Sequence, residues 1–236
     1  NPMIKEKMDL DIEVSKLKLL KSNHLSQRYS LEDAISKSFP VEIAAAKERI
    51  SGYEADIAAV KENTAPNADG FSPLTLMGVP HTDKKEAGAA LLTMCQNMLS
   101  PEATQIGSYR GLTLELAFDT FAREYRLTMI GQLRHTVTLG TDVFGNLQRM
   151  DNALEALPLK QQTCREQLSN LQTQLETAKA EVQKPFPREA ELNTKTARLE
   201  ELNSLLNLDH KEPEIVDAEP DEAPRSRERP AAQMER

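Results

Sequence analysis

The sequence predicts an α+β fold, mainly α, in which antiparallel helical coiled-coil arms carry an inserted module of small antiparallel sheet plus helix. Three patterns lead there. Within Asp142 to Val182, Leu147, Met150, Leu154, Leu157, Gln161, Cys164, Leu168, Leu171, Leu175, Ala178 and Val182 recur at alternating steps of three and four, a heptad stripe with Gln161 as its one polar position. Ile43, Ala46, Ile50, Tyr53, Ile57 and Val60 repeat the spacing. Between the two stripes the apolar period falls to two, the mark of half-buried strands.

In chain order, the first arm covers 1–63. A helix from Asp9 to Ser38 carries Leu10, Val14, Leu17, Leu20, Leu25, Leu31 and Ile35. Phe39-Pro40 is expected to break it, because proline has no amide hydrogen and disfavours helical geometry in the residue before it. The next helix then holds the Ile43 to Val60 stripe, with Gly52 marking a close helix approach. Such a stripe needs a partner, and the second arm supplies one if the two run antiparallel.

The inserted module covers 64–141. Thr64 to Ser72 reads as a loop, and Leu74 to Met77 with Val79 to Thr82 reads as a short hairpin around Gly78. Thr82-Asp83 followed by Glu86 resembles an N-terminal capping box for a helix from Asp83 to Leu99. Alternation at Leu112–Phe118, Tyr125–Ile130 and Arg134–Leu139 then gives a meander of three strands, with Thr104–Tyr109 as a fourth.

The second arm, with a returning helix after Lys184-Pro185-Phe186-Pro187, covers 142–207. Read as one rod, Asp142 to Val182 spans roughly 60 Å at ~1.5 Å per residue. The tail over 208–236 is acidic in its first half and arginine-bearing in its second, and is expected to be disordered.

Composition fits this plan. Aromatic residues make up 4% of 236 and tryptophan is absent, which favours long helices over a bulky globular core. A net charge of −8 excludes a chain that is basic throughout, so a nucleic-acid contact would have to be local. Cys95 and Cys164 sit at apolar helical positions and read as buried thiols of a reducing compartment. No run of ~20 apolar residues and no signal peptide is present, giving a soluble, cytoplasmic expectation without membrane contact. The chain opens on Asn1 in what reads as the middle of an element, so it is expected to be a segment of a longer protein.

No phosphate-binding loop, dinucleotide glycine pattern, zinc-protease helix or paired-cysteine motif occurs. His24, His81, His135 and His210 stand apart and read as structural or surface residues. Glu48, Glu54, Asp56 and Glu62 flank the second stripe and read as a solvated helix face. No catalytic, cofactor-binding or metal-binding residue is assigned. The candidate DNA contacts are Lys16, Lys18 and Lys21 on the first helix, with Arg126 and Arg134 on the polar sheet face beside Thr113, Thr128 and Thr136. Arg28, Arg110 and Arg123 lie near these groups.

Several stretches resemble one family: Phe39-Pro-Val-Glu-Ile, Ser51-Gly-Tyr-Glu-Ala-Asp-Ile, Gly107-Ser-Tyr-Arg-Gly, Leu114-Glu-Leu-Ala-Phe-Asp-Thr-Phe, His135-Thr-Val-Thr-Leu-Gly-Thr-Asp, Arg149-Met-Asp-Asn-Ala-Leu-Glu and Leu199-Glu-Glu-Leu-Asn-Ser-Leu-Leu-Asn. They look like the C-terminal region of very large SNF2-type helicase and N6-adenine DNA methyltransferase fusions. Such proteins are carried by integrative conjugative elements of Gram-positive gut bacteria. The resemblance implies a non-catalytic accessory segment that positions or tethers the parent protein. It implies ATP and S-adenosylmethionine only for domains upstream, which are then its partners, with DNA and self-association through the coiled coil beside them. The alternative is a protein-interaction coiled coil without a nucleic-acid role.

Overall fold

The computed structural model describes residues 2–98 and 101–209. It is mostly helical, with one six-stranded antiparallel sheet. The chain falls into two compact units, Asn1–Asn23 with Pro185–Arg236, and His24–Lys184.

In the first unit, the start of helix α1 (Pro2–Asp33) packs against α6 (Glu189–Asp209). Val14, Leu17 and Leu192 are buried together with Leu199 beside them, so two residues of the expected α1 stripe meet the returning helix, while Leu20 and Leu25 of that stripe are exposed. Ion pairs link Lys21 to Glu189 (2.6 Å), Glu13 to Lys195 (2.8 Å) and Glu6 to Arg198 (2.9 Å). The falling number on α1 against the rising one on α6 shows that the two run in opposite directions. Arg188 and Lys195 grip Glu191 and hold its carboxyl down to about 2. Residues 210–236, and with them His210 and nearly all of the tail, lie outside the described residues, as does Leu99.

In the second unit, Phe39-Pro40 does not open a loop. A π turn (Ala34–Ser38) joins α1 to α2 (Phe39–Glu62), and the Phe39 amide donates five residues back to the Ala34 carbonyl. The wider turn accommodates the missing proline amide, which falls in the first turn of α2, where no intrahelical partner is needed.

Strands β1 (Leu74–Leu76) and β2 (Val79–His81) form the expected hairpin and extend one sheet with β3 (Thr104–Tyr109), β4 (Leu112–Asp119), β5 (Glu124–Ile130) and β6 (Arg134–Leu139), in the order β2-β1-β3-β4-β5-β6. Leu114 lies opposite Met129 and Leu116 opposite Leu127, so one face is apolar along its length. That face is covered by α3 (Lys84–Asn97) through Ala87, Leu91 and Cys95, and by α4 (Val143–Glu155) through Leu147, Met150 and Leu154. Asp83 caps α3, its Oδ1 accepting the Glu86 amide at 2.8 Å, and Asp142 caps α4 in the same way with Gly145 at 2.6 Å.

The single rod expected over Asp142–Val182 is two helices. It breaks at Ala156, and α5 (Leu157–Val182) starts there with Pro158 in its first turn. Proline cannot donate to the carbonyl four residues back, so the helix cannot pass through this point unbroken. The division sorts one stripe between two partners: Leu147, Met150 and Leu154 enter the sheet core, while Cys164, Ala178 and Val182 are buried on α5. α5 packs along α2 in the opposite direction, with Gln161 donating to the Ile50 carbonyl at 3.4 Å and the Cys164 thiol to the Ala46 carbonyl at 3.7 Å.

Candidate functional site

Helix α2 has a second working face. Gly52, Asp56, Ala59 and Asn63 recur at steps of four, three and four, offset from the stripe that meets α5, and this face receives two turns of the sheet. The small residues permit close approach. A Cβ on Gly52 would stand 2.7 Å from Leu133 Cγ, and one on Gly111, in the β3–β4 turn, would meet the Asn63 amide at 2.6 Å.

Asp56 is the centre of this face, and it is 1% exposed, not part of a solvated face. Its Oδ1 accepts the Gln132 amide at 2.5 Å; its Oδ2 accepts the Leu133 amide at 3.0 Å and lies 2.7 Å from His135 Nε2. One carboxylate thus binds the β5–β6 turn by two backbone donors and the first part of β6 by a ring nitrogen. Gly131 is required by the same approach, because a side chain there would collide with the Asp56 carboxylate. His135 is 4% exposed and stacks on Tyr53 of α2, with ring centroids 6.0 Å apart. Burying a carboxylate without partners is costly, and here every oxygen is engaged.

A second joint closes the other side. The Tyr109 hydroxyl donates to Asp151 Oδ1 of α4 at 2.7 Å, and burial together with that carboxylate holds its phenol well above the ordinary range. Arg110, in the turn with φ of 47°, donates from Nε to Thr64 Oγ1 at 2.9 Å and points Nη1 at Asp151. Ile57, Val60, Leu154 and Pro158 line a groove of 340 Å³ beside it.

Asp56 and His135 resemble an acid and base pair, yet both are buried, and no nucleophile is bonded to either among the described residues. The carboxylate is occupied by the turn it holds. Chemically the arrangement can fix two elements together; it gives no substrate access. No group of three or more His, Cys, Asp or Glu side chains converges among the described residues.

The five candidate DNA contacts divide between the units. Lys16 and Lys18 are exposed on α1 and make no ion pair among the described residues, whereas Lys21 is held by Glu189. Arg126 and Arg134 do share the open sheet face with Thr113, Thr128 and Thr136. Each is matched to an acid of β4 on that face, Arg126 to Asp119 at 2.9 Å and Arg134 to Glu115 at 2.5 Å. Arg28 pairs with Glu32, and Arg123 is exposed with φ of 55°. Sequence reasoning missed the Asp56 joint. Its signal was the small-residue spacing of Gly52, Ala59 and Asp56 between them, which a solvated heptad flank does not require.

No family model, curated protein or solved structure matches this chain. No helix among the described residues is long and apolar enough to cross a membrane, and Cys95 and Cys164 are buried free thiols.

Proposed function

We propose that the chain is a non-catalytic positioning module, in which α2 and α5 form an antiparallel coiled-coil arm fixed rigidly to the sheet. In this reading it is the accessory C-terminal segment of a large mobile-element helicase and DNA methyltransferase, and its partners are that protein's upstream domains. The observation that carries the positioning role is the buried Asp56 carboxylate, which ties the arm to the β5–β6 turn through three hydrogen-bonding contacts. A loosely hinged arm would have no use for a charge buried at its root. The parent class rests on the sequence resemblance alone.

DNA contact through Lys16, Lys18, Lys21, Arg126 and Arg134 is tested by titrating the chain with duplex and single-stranded DNA at two salt concentrations. Binding that weakens with salt, and weakens further in the Arg126→Ala/Arg134→Ala variant, supports it; salt-insensitive or absent binding removes it.

The pairing of Arg126 with Asp119 and of Arg134 with Glu115 favours a second reading, a cytoplasmic protein-interaction module with no nucleic-acid role. Charges already neutralised on a surface give little attraction for phosphate. Negligible DNA affinity together with pull-down of a defined protein partner decides for it.

A further inference from the structure

Helix α1 carries two apolar stripes, and α6 covers only one of them. Val14 and Leu17 are buried against α6. On the opposite side Ile4, Met8, Ile12 and Leu19 recur at steps of four, four and seven, which sets them on one face, and each is between 48% and 63% exposed. The same spacing places Lys5 and Lys16 along one flank of this stripe and Lys18 along the other.

The pairing with α6 leaves these lysines without counter-charges. Arg198 and Lys195 take Glu6 and Glu13, the two glutamates of this part of α1. Lys5, Lys7, Lys16 and Lys18 enter no ion pair among the described residues, and only Asp9 and Asp11 remain against them, four positive charges to two negative. Exposed aliphatic side chains rimmed by free lysines fit an acidic segment with an apolar centre. The chain contains one. From Glu212 to Glu222 the sequence has six acids, no base, and Ile215-Val216 between them.

We propose that Glu212–Glu222 docks on this face of α1 in the same molecule, with Ile215 and Val216 on the stripe and the acids beside Lys5, Lys16 and Lys18. The reach is sufficient. Arg198 of α6 stands beside Glu6 of α1, so at ~1.5 Å per residue the end of α6 at Asp209 projects ~10 Å past the start of α1 at Pro2. The thirteen residues from His210 to Glu222 span up to ~43 Å when extended, enough for that return and for the ~22 Å from Ile4 to Leu19. Pro213 and Pro220 disfavour helical geometry in the residues before them and so favour the extended course. On it, Ile215 and Val216 arrive near Met8, and Glu219 and Asp221 near Lys16 and Lys18. A segment of the same chain is presented at an effective concentration of about mM, so a patch too small to hold a separate protein can hold it. The inference rests neither on the positioning role nor on the parent class.

A nitroxide on Ala218→Cys of the whole chain tests this, since Cys95 and Cys164 are buried and stay unlabelled in the folded protein. The expected result is selective broadening of the α1 amide signals between Ile4 and Leu19, weakening as salt rises from about 0.05 to about 0.5 M. Lys5→Glu/Lys16→Glu/Lys18→Glu, at exposed positions, should abolish the broadening with an unchanged far-UV circular dichroism spectrum. Adding Glu214→Lys/Asp217→Lys/Glu219→Lys to that variant should restore it. In a mixture of nitroxide-bearing chains with isotope-labelled chains that lack the nitroxide, no broadening is expected. Three results would overturn the proposal: no selective broadening of α1; broadening that survives the three lysine replacements; or equal broadening in the mixture, which would give the stripe to a second copy.

Discussion

Replacing Asp56 with alanine removes the acceptor that the Gln132 and Leu133 amides share and the partner of a buried histidine. A buried hydrogen-bonding group left without its partner costs ~1–3 kcal/mol. Two amides and a ring nitrogen lose theirs here, and since water will reach part of the opened turn, a loss of about 4 kcal/mol, toward the lower end of their sum, is expected. That is a large share of the ~5–15 kcal/mol by which a domain is stable. With a urea dependence of about 2.5 kcal/mol per molar, the unfolding midpoint should fall by about 1.6 M. Asp56→Asn keeps the volume and one acceptor oxygen and should fall between that value and wild type. Glu54→Ala, two residues away on the exposed side, should change stability by no more than ~0.5 kcal/mol. The assay is urea unfolding followed by far-UV circular dichroism, with amide exchange at Gln132 and Leu133 reporting the turn itself. If Asp56→Ala moves the midpoint by less than about 0.4 M, or if the two amides exchange no faster, the carboxylate does not hold the arm to the sheet.

Gly52→Ala should destabilise by ~1–3 kcal/mol despite alanine's better helix propensity, because the new methyl group enters the space of the Leu133 side chain. Adding Leu133→Ala should make the Gly52→Ala step nearly neutral, which a double-mutant cycle in urea would measure. The Cys95 thiol, pushed up to about 11 by burial, should resist a disulfide reagent at pH 8 in the folded protein and react at once in denaturant. Glu191 should give the α6 segment itself an acid-sensitive component, because both groups that hold its carboxyl down, Arg188 and Lys195, lie on that segment. Its folded carboxyl titrates near 2 against 4.5 for a free one, so its contribution is complete above pH 4.5 and is lost as pH falls toward 2. Thermal melts across pH 2 to 6 should show that decline in the wild type and a flatter profile in Glu191→Gln.

Periodicity reads well wherever one face of an element decides its place. The alternation at Leu112–Phe118 and Tyr125–Ile130 became β4 and β5 because Leu114, Leu116, Leu127 and Met129 face one core. The stripe from Cys164 to Val182 likewise became a helix packed on α2. The same stripe misled at Pro158. Its apolar spacing runs through the break without a change of phase, so the pattern could not show that Leu154 and Cys164 serve different partners; the missing proline amide could. At Phe39-Pro40 the error ran the other way, since a π turn let the helix pass a proline that would stop an ordinary one.

The deeper omission was Asp56, whose partners lie 76 to 79 residues away along the chain. A helix with a single apolar stripe exposes its flank, and an acid on that flank is then most economically read as solvated. α2 instead has two buried faces. What distinguishes them in sequence is side-chain size: the heptad face carries Ile50, Tyr53, Ile57 and Val60, the last three of which also pack on the sheet core, while the face toward the sheet turns carries Gly52, Asp56 and Ala59. Large residues interdigitate with another helix; small ones admit a backbone, and a lone carboxylate among them can satisfy the amides that backbone brings. The glycine at 131 is the matching half of that pattern, since its missing side chain lets the turn reach the acid. Gly52, Asp56 and Gly131 therefore act as one unit, and a change at any of them should loosen the same contact between arm and sheet.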